Sequence, residues 1–330
     1  MTLATLPTVS VIIPTYNRAQ FIGETIASVL NQTFQDFELI IIDDGSTDHT
    51  REVFEIYRSD PKVQFVFKNH EGACIARNKG IELSRGKLIA FLDSDDIWLP
   101  DKLLSQVRFL DDHPEITLVH GCVEVIDSTG KFLSVMTHRF KKFYNKAKKI
   151  GEDYAGVSRL PFFFTSAFLI RREFFNQFCG FDPKSSLRED LDLCLRLTFE
   201  GHQMVCLEGE PVLHYRYRGN AAHIKAAVLN AFIYIYQKQL GALKASGRLT
   251  EHSGAHEYFL FHLANCFYQL NDFKACFEYS MQLIKLHPIK LCSYEIMRNL
   301  LISMFPSKLI SILKQIKSPF HKWQVAQESN

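Results

Sequence analysis

The chain has 330 residues, of which 47% are hydrophobic, and a formal net charge of +2 at pH 7. This length allows one large domain or a domain with an appendage, and the apolar fraction is ordinary for a globular protein with a sizeable core. The small net charge, without the basic and aromatic pattern of a binding module, argues against a nucleic-acid partner.

Cysteine usage and hydropathy indicate the compartment. The eight cysteines include no Cys-x-x-Cys pair, which argues against a zinc site or a disulfide framework and for a reducing environment. The chain does not open with a basic segment followed by an apolar one, and no apolar run approaches the ~20 residues of a membrane span. We therefore expect a cytoplasmic protein.

The first hundred residues alternate short apolar runs with helical segments. Strands are predicted at 9–14, 39–42, 63–67 and 88–92, with helical spacing of apolar residues after Phe21 and after Gly72. This alternation predicts right-handed βαβ units and a mostly parallel sheet. Neither Gly-x-Gly-x-x-Gly nor a Gly-x-x-x-x-Gly-Lys-Ser/Thr loop follows the first strand, so NAD or FAD use is not expected.

Three predicted strand ends carry polar loops, at 15–18, 43–46 and 93–96. Ligands of open α/β sheets bind outside the carboxyl ends of the strands, so we expect these loops to converge on one site. Asp93 and Asp95 can both offer oxygen ligands to a divalent cation that keeps open positions for a phosphate. The alternative for this acidic triplet is a solvated turn that caps the following helix.

Four motifs in this half resemble family 2 glycosyltransferases, which have the GT-A fold. They are Ser-Val-Ile-Ile-Pro-Thr-Tyr-Asn-Arg at 10–18, Ile-Ile-Asp-Asp-Gly-Ser-Thr-Asp at 41–48, Gly-Ala-Cys-Ile-Ala-Arg-Asn at 72–78 and Phe-Leu-Asp-Ser-Asp-Asp at 91–96. The resemblance implies Asp95 as the ligand of Mn²⁺ or Mg²⁺, with Asp93 on the sugar-nucleotide side. The predicted nucleotide-sugar site consists of Pro14, Thr15, Tyr16, Asn17, Arg18, Asp44, Arg77, Asp93, Ser94 and Arg218.

Between the sugar-nucleotide motifs and the C-terminal region we expect a helix at 99–110, strands at 117–126 and 162–170, and a helix that ends at Gly201. Ser186 and Glu189 fit a capping box at the start of that last helix. Its buried stripe is predicted to consist of Leu187, Leu191, Cys194, Leu195 and Phe199.

Asp190 falls in the first turn of this helix, where free N–H groups favour the ionised carboxylate. A carboxylate there can accept the proton of an acceptor hydroxyl. The segment also resembles the family's acidic motif, which implies Asp190 as the base. Glu189 is the second candidate, and the alternative is that both acids only complement the helix dipole.

One position departs from the resemblance. The family often has Tyr-Arg-x-His where this chain has Tyr215-Arg216-Tyr217-Arg218, and neither His214 nor His223 has the family's spacing. Arg218 is expected to pair with the diphosphate through its fork of donors. The third metal ligand is left open.

Two basic stretches and a helical region complete the chain. Residues 131–149 hold seven Lys or Arg and no acid, and residues 285–322 hold seven against one acid. The first is expected to be a solvated loop, with contact to an acceptor phosphate or an anionic membrane as the alternative. The second could contact the inner face of the plasma membrane peripherally, with ordinary packing as the alternative. Residues 257–288 resemble one tetratricopeptide-like hairpin, and a plain helical hairpin is the alternative.

The sequence therefore predicts a GT-A domain over 1–222 and a helical extension over 223–330. The nucleotide-sugar half would be about 1–98 and the acceptor half about 99–222. The expected activity is inverting, non-processive sugar transfer from a nucleotide-diphospho-sugar to a hydroxyl of a glycan or lipid-linked acceptor, in bacterial surface polysaccharide biosynthesis. The alternatives are a processive polysaccharide synthase, which would show a Gln-x-x-Arg-Trp motif, a nucleotidyltransferase, and a non-catalytic scaffold that uses the helical tail.

Overall fold

The structure, a computed structural model, describes residues 6–135, 163–219 and 224–286, and nine strands in these ranges form one sheet. Their order across the sheet is β3-β2-β1-β4-β8-β6-β9-β5, with β7 paired to β6. The strands are β1 (Val9–Thr15), β2 (Phe37–Asp43), β3 (Val63–Phe67), β4 (Leu88–Phe91), β5 (Ile97–Trp98), β6 (Ile116–Ile126), β7 (Phe132–Val135), β8 (Phe168–Arg171) and β9 (Gln203–Arg216).

Helices connect the strands and form the C-terminal part of the described chain. They are α1 (Ile22–Leu30), α2 (Thr50–Phe54), α3 (Ala73–Leu83), α4 (Lys102–Asp112), α5 (Arg172–Gln177), α6 (Glu189–Phe199), α7 (Ile224–Ala245), α8 (Ser253–Gln269) and α9 (Phe273–Leu286). The chain divides into two compact units, Met1–Ala231 and Phe232–Asn330. Within the described residues, none of the helices combines the length and the apolar character that crossing a membrane requires.

The sheet is parallel in its first half and mixed in its second. β1 to β4 pair in parallel, as the alternation of strands and helices predicts. β8 then pairs antiparallel to both β4 and β6, while β9 pairs parallel to β6. The prediction of a mostly parallel sheet therefore describes the first half only, because antiparallel neighbours do not need the crossover helices on which it rested.

Both faces of the first half of the sheet are covered. Val11 and Ile13 of β1 belong to one buried cluster with Ile26 of α1, whereas Ile40 of β2 packs with Ala76 of α3 in a separate cluster. A strand that is buried on both faces needs apolar residues at every position, which is why these segments read as continuous apolar runs.

Helix α3 lies unusually close to the sheet at Gly80. A Cβ atom on this residue would fall 2.3 Å from Cγ2 of Ile12 in β1. The absent side chain therefore lets the helix approach the strand, and this approach fixes the position of Arg77 one turn earlier on α3.

The predicted strand at 162–170 is only partly present. β8 begins at Phe168, and Thr165–Ala167 before it forms one 3₁₀ turn. Two side chains bind backbone carbonyl groups that a longer strand would use for pairing. Nε1 of Trp98 donates to the carbonyl oxygen of Ser166, and Nε2 of Gln106 donates to that of Ala167. Most of the basic stretch 131–149 and nearly all of the basic tail from 285 lie outside the described residues.

Candidate active site

Polar side chains from three neighbouring parallel strands meet at one edge of the sheet. Tyr16 follows β1, Asp44 follows β2 and Asp93 lies shortly after β4. They line a cavity of about 400 Å³, which also contains every other residue of the predicted nucleotide-sugar site except Asn17. Asn17 instead joins two of the loops, since its Oδ1 accepts hydrogen bonds from the backbone N–H groups of Thr47 and Asp48.

One end of this cavity, which is called the donor cavity below, has a flat aromatic surface. The rings of Tyr16 and His70 stack with their centroids 4.0 Å apart and an interplanar angle of 25°. Both side chains line the cavity. Stacked rings with exposed faces can bind a planar nucleobase, so this end fits the nucleoside. His70 had no signal in the sequence, because it belongs to none of the motifs.

Asp44 is buried beside these rings and is held as a carboxylate. Burial by itself would raise its pKa, but hydrogen bonds from Lys68 Nζ and from the N–H groups of Glu71 and Gly72 outweigh burial and lower the pKa below its ordinary value. The Gly72 N–H lies 2.7 Å from Oδ2 and the Glu71 N–H lies 3.0 Å from Oδ1. Asp44 therefore presents a fixed negative charge at the nucleoside end.

Asp95 lies at the other end of the donor cavity with two arginines. Its Oδ2 is 2.7 Å from Nη2 of Arg218 and 3.5 Å from Nε of Arg18. Burial and the negative charge of Asp93 nevertheless raise the pKa of Asp95 above its ordinary value. The two arginines place positive charge beside Asp95, and their guanidinium groups can also bind the oxygens of a diphosphate.

The described residues contain no group of three or more His, Cys, Asp or Glu side chains arranged to hold a metal ion. Two carboxylates can still serve a cation that takes its other ligands from a diphosphate and water. Arg77 binds Oδ1 of Asp93 and Arg218 binds Oδ2 of Asp95, so the other oxygen of each carboxylate can face a cation. Of the two histidines close to Arg218 in the sequence, His214 pairs with Glu124 at 3.0 Å and His223 lies outside the described residues.

Asp96 is a site residue that the sequence reasoning missed. It is 1% exposed, and burial together with the charges of Asp93 and Asp95 raises its pKa well above the ordinary value. Its carboxyl accepts hydrogen bonds from the Arg216 N–H at 2.9 Å and from Ser166 Oγ at 2.7 Å. Ser166 Oγ also accepts a hydrogen bond from the Asp93 N–H at 3.0 Å. Ser166 and Asp96 therefore hold the acidic loop 93–96 in place.

A second cavity of about 710 Å³ lies on the other side of Asp93. Its lining includes four aromatic residues, Phe163, Phe164, Tyr215 and Tyr217, together with Glu189 and Asp190. Aromatic walls around a carboxyl are suited to sugar rings, whose C–H faces pack on aromatic groups while their hydroxyls form hydrogen bonds. The two cavities share Asp93, Leu187 and Glu189.

Asp190 has a shifted pKa in this second cavity, which is called the acceptor cavity below. Burial and the neighbouring charge of Glu189 raise its pKa to about 7, against the lowering effect of Arg188 and of a hydrogen bond from the Leu191 N–H. The sequence predicts a carboxylate ionised by the helix terminus. That prediction is wrong in degree, because burial outweighs the helix N–H groups and leaves Asp190 titrating near neutral pH.

Arg77 connects the two cavities. Its guanidinium is buried and donates from Nη2 to Asp93 at 2.6 Å and from Nη1 to Glu189 at 2.7 Å. One oxygen of Glu189 is thereby occupied by a hydrogen bond from a buried guanidinium. The bridge ties the acidic loop after β4 to the start of α6.

The start of α6 differs from the predicted capping box. The helix begins at Glu189 with Arg188 at its N-cap and no side-chain cap, and Ser186 instead ends the 3₁₀ turn Pro183–Ser185. Glu189 pairs with Arg77 rather than reaching back to Ser186. Leu187, predicted to belong to the buried stripe of the helix, is 49% exposed because it precedes the helix and faces the cavities.

Comparison with known sequences identifies the family to which this chain is similar. Residues 10–178 match the family model "Glycosyl transferase family 2". An uncharacterized glycosyltransferase of Rickettsia bellii is 46% identical over 125 residues, which are 38% of this chain and 18% of that protein. Over 146 residues, the chain is 38% identical to the Escherichia coli UDP-Glc:alpha-D-GlcNAc-diphosphoundecaprenol beta-1,3-glucosyltransferase WfgD, covering 43% of this chain and 55% of WfgD.

Solved structures share the fold at low sequence identity. Staphylococcus aureus TarS 1–349 in complex with UDP-GlcNAc matches with a TM-score of 0.59 and 16% identity, over 90% of each chain. The mannosyltransferase PcManGT of Pyrobaculum calidifontis, in complex with GDP-Man and Mn²⁺, matches with a TM-score of 0.54 and 17% identity, over 91% of this chain and 85% of that one. The mixed sheet flanked by helices is thus of the predicted GT-A type.

Proposed function

Because this chain belongs to glycosyl transferase family 2, we propose that it transfers one sugar from a nucleotide-diphospho-sugar to an acceptor hydroxyl with inversion at the anomeric carbon. The observation that carries this proposal is the junction of the donor and acceptor cavities at Asp93, Leu187 and Glu189. A sugar at the junction has the acceptor on one side and the leaving diphosphate on the other, which is the geometry of a single displacement.

The donor cavity supplies binding groups along its length. Tyr16 stacks on the base and Asp44 accepts hydrogen bonds from the nucleoside. Arg18 and Arg218 pair with the diphosphate, whose charge grows as the bond to the sugar breaks. Arg218 thereby takes the place at which the family often has a histidine, and Ser94 lines the same region.

Asp190 acts as the base. As the acceptor oxygen forms its bond to the anomeric carbon, the bond from that carbon to the diphosphate breaks and the hydroxyl proton passes to Asp190. A pKa of about 7 lets this carboxyl be ionised before the reaction and still hold a proton after it. Glu189 is the weaker candidate because Arg77 occupies one of its oxygens.

Asp95 and Asp93 fit a divalent cation, Mn²⁺ or Mg²⁺, because burial and the negative charge of Asp93 raise the pKa of Asp95, and a shared positive charge would stabilise both carboxylates. When bound, the cation would neutralise charge on the leaving diphosphate. The Mn²⁺ in the PcManGT complex supports this assignment by likeness of fold alone.

We further propose a non-processive enzyme of bacterial surface polysaccharide biosynthesis that uses a lipid-linked acceptor. The name of WfgD includes a diphosphoundecaprenol acceptor, and another relative is the putative teichuronic acid biosynthesis glycosyltransferase TuaG of Bacillus subtilis. The 330 residues contain no Gln-x-x-Arg-Trp motif. The seven cysteines of the described ranges form no disulfide with one another, which supports a cytoplasmic location.

The test is a thermal-shift and product assay with UDP-glucose, UDP-GlcNAc and GDP-mannose, each with and without Mn²⁺. We expect one of these donors to raise the melting temperature and to release its nucleoside diphosphate when acceptor is supplied. Asp95→Asn should lose the part of the shift that needs Mn²⁺. A protein that neither binds nor consumes any of the three would contradict the proposed function.

A further inference from the structure

Leu187 has a backbone conformation that leucine rarely adopts. Its φ is +77°, and the other non-glycine residues with positive φ in the described ranges are the asparagines Asn17 and Asn271. Asparagine tolerates the left-handed region because its short polar side chain can form local hydrogen bonds, whereas leucine gains no such compensation. The backbone at Leu187 is therefore strained, and the surrounding structure must hold it in this conformation.

The leucine side chain does not gain burial from this strain. It is 49% exposed and lies before α6 begins, outside the apolar stripe that anchors the helix. A structural role alone would favour glycine at this position, since glycine adopts the same φ without cost and loses little packing here. Strained residues of this kind cluster at functional sites.

The location of Leu187 indicates what its function is. Three residues line both cavities, and two of them are the carboxylates of Asp93 and Glu189, which Arg77 holds at 2.6 Å and 2.7 Å. Leu187 is the apolar member of the three. A sugar at the junction would meet carboxylates that accept from its hydroxyls and an aliphatic group that packs on its C–H face.

We propose that Leu187 covers the transferred sugar at the junction and keeps water from the anomeric carbon. This inference rests on the proposed sugar transfer. Attack by the acceptor and attack by water balance in the same way: an O–H oxygen bonds to the anomeric carbon, the bond to the diphosphate breaks and the proton passes to Asp190. The leucine excludes bulk water from the junction, so that the acceptor hydroxyl rather than water reaches the anomeric carbon.

Two substitutions separate the side chain from the backbone strain. Leu187→Gly removes both, whereas Leu187→Ala removes most of the side chain but keeps a Cβ at positive φ. Ile56→Ala is the matched control, because Ile56 is another exposed aliphatic residue, at 73%, and lines neither described cavity.

The assay measures nucleoside diphosphate released without any acceptor, at saturating UDP-glucose, UDP-GlcNAc or GDP-mannose, whichever the wild type binds most tightly. We expect the hydrolytic kcat to rise roughly tenfold in both Leu187 variants and to stay unchanged in Ile56→Ala. The melting temperature should rise in Leu187→Gly but not in Leu187→Ala, since only glycine relieves the strain.

Wild-type hydrolysis rates in both Leu187 variants would overturn the inference while leaving the sugar transfer in place. A melting temperature of Leu187→Gly below that of the wild type would also overturn it, because the leucine would then be a packing residue. A wild-type protein that binds none of the three donors overturns the proposed function itself, and the inference with it.

Discussion

Asp190 and Glu189 are adjacent in the chain but have different electrostatic surroundings. Arg77 neutralises Glu189 through a buried hydrogen bond, whereas Asp190 faces the acceptor cavity with its pKa raised to about 7 by burial and by the charge of Glu189. Two neighbouring carboxyls in different surroundings can divide the work of positioning and of proton transfer. We therefore propose Asp190 rather than Glu189 as the base.

Replacing Asp190 by asparagine should remove the base without disturbing the fold. We expect the kcat for transfer in Asp190→Asn to fall by about 10²–10⁴ while donor affinity is retained, since this range is typical of a lost general base. The measurement is steady-state kinetics together with a donor-induced thermal shift. If instead Glu189→Gln is inactive and Asp190→Asn is active, the base is Glu189.

The pH dependence of transfer follows from the pKa of Asp190. The base must be deprotonated, so kcat should rise with pH up to about 7 and be flat above it. Glu189→Gln should move this rise to lower pH, because the charge of Glu189 raises the pKa. A profile that is flat between pH 5 and pH 8 in the wild type would contradict the assignment.

The raised pKa of Asp190 also makes the stability of the fold depend on pH. Since the pKa is higher in the folded state than in the unfolded state, where the ordinary value is 3.8, ionisation favours unfolding as the pH rises from about 4 to 7. Asp190→Asn removes this cost. Its melting temperature relative to the wild type should therefore be higher at pH 8 than at pH 4, which differential scanning fluorimetry can measure.

At the scale of elements, the site depends on how closely α3 packs on β1. Arg77 reaches both Asp93 and Glu189 only because Gly80 lets its helix lie against Ile12. On the other side, the 3₁₀ turn at Ser166 supports the acidic loop after β4 through Asp96 and the Asp93 backbone. Elements that bear no catalytic group thus set the positions of those that do.

Gly80→Ala tests the helix contact. The added methyl group would lie 2.3 Å from Ile12 Cγ2, so we expect a loss of about 1–3 kcal/mol in the free energy of unfolding and a lower kcat as Arg77 moves. The matched control is Gly241→Ala in α7, where no atom lies within 4 Å of the new Cβ. Alanine there should stabilise by up to about 1 kcal/mol through helix propensity. Equal effects in urea unfolding would contradict the close approach.

At the scale of the whole molecule, the donor cavity draws on residues from Pro14 to Arg218, all of which belong to the unit Met1–Ala231. The second unit, Phe232–Asn330, contains α8 and α9, and none of its residues up to Leu286 lines either cavity. The predicted domain boundary at 222 lies close to the division between the units, and we retain two domains as a proposal.

Hydrogen exchange on the full chain can test this division. We expect UDP-GlcNAc, or GDP-mannose if that is the donor bound, to slow amide exchange in the loops after β1, β2 and β4, because bound ligand suppresses local opening. Exchange in α8 and α9 should be unchanged. Slower exchange in those two helices would show that the C-terminal unit takes part in donor binding, contrary to the two-domain proposal.

The sequence by itself determined the sheet edge at which the donor residues gather. Continuous apolar runs that end in polar loops are local signals, and parallel strands bring their ends together whatever the distance along the chain. Tyr16, Asp44 and Asp93 could therefore be assigned to one site before any coordinates. The antiparallel pairing of β8 could not be predicted, because a short apolar run does not specify which strands it will pair with.

Only the tertiary structure decided the proton affinity of Asp190, the bridge from Arg77 to Glu189 and the exposure of Leu187. Each depends on groups that are distant in sequence: 112 residues separate Arg77 from Glu189. The burial that raises the pKa of Asp190 and the cavities that Leu187 faces exist only after packing. A sequence pattern records helix spacing and motif order, but charge and solvent exposure follow from which segments meet.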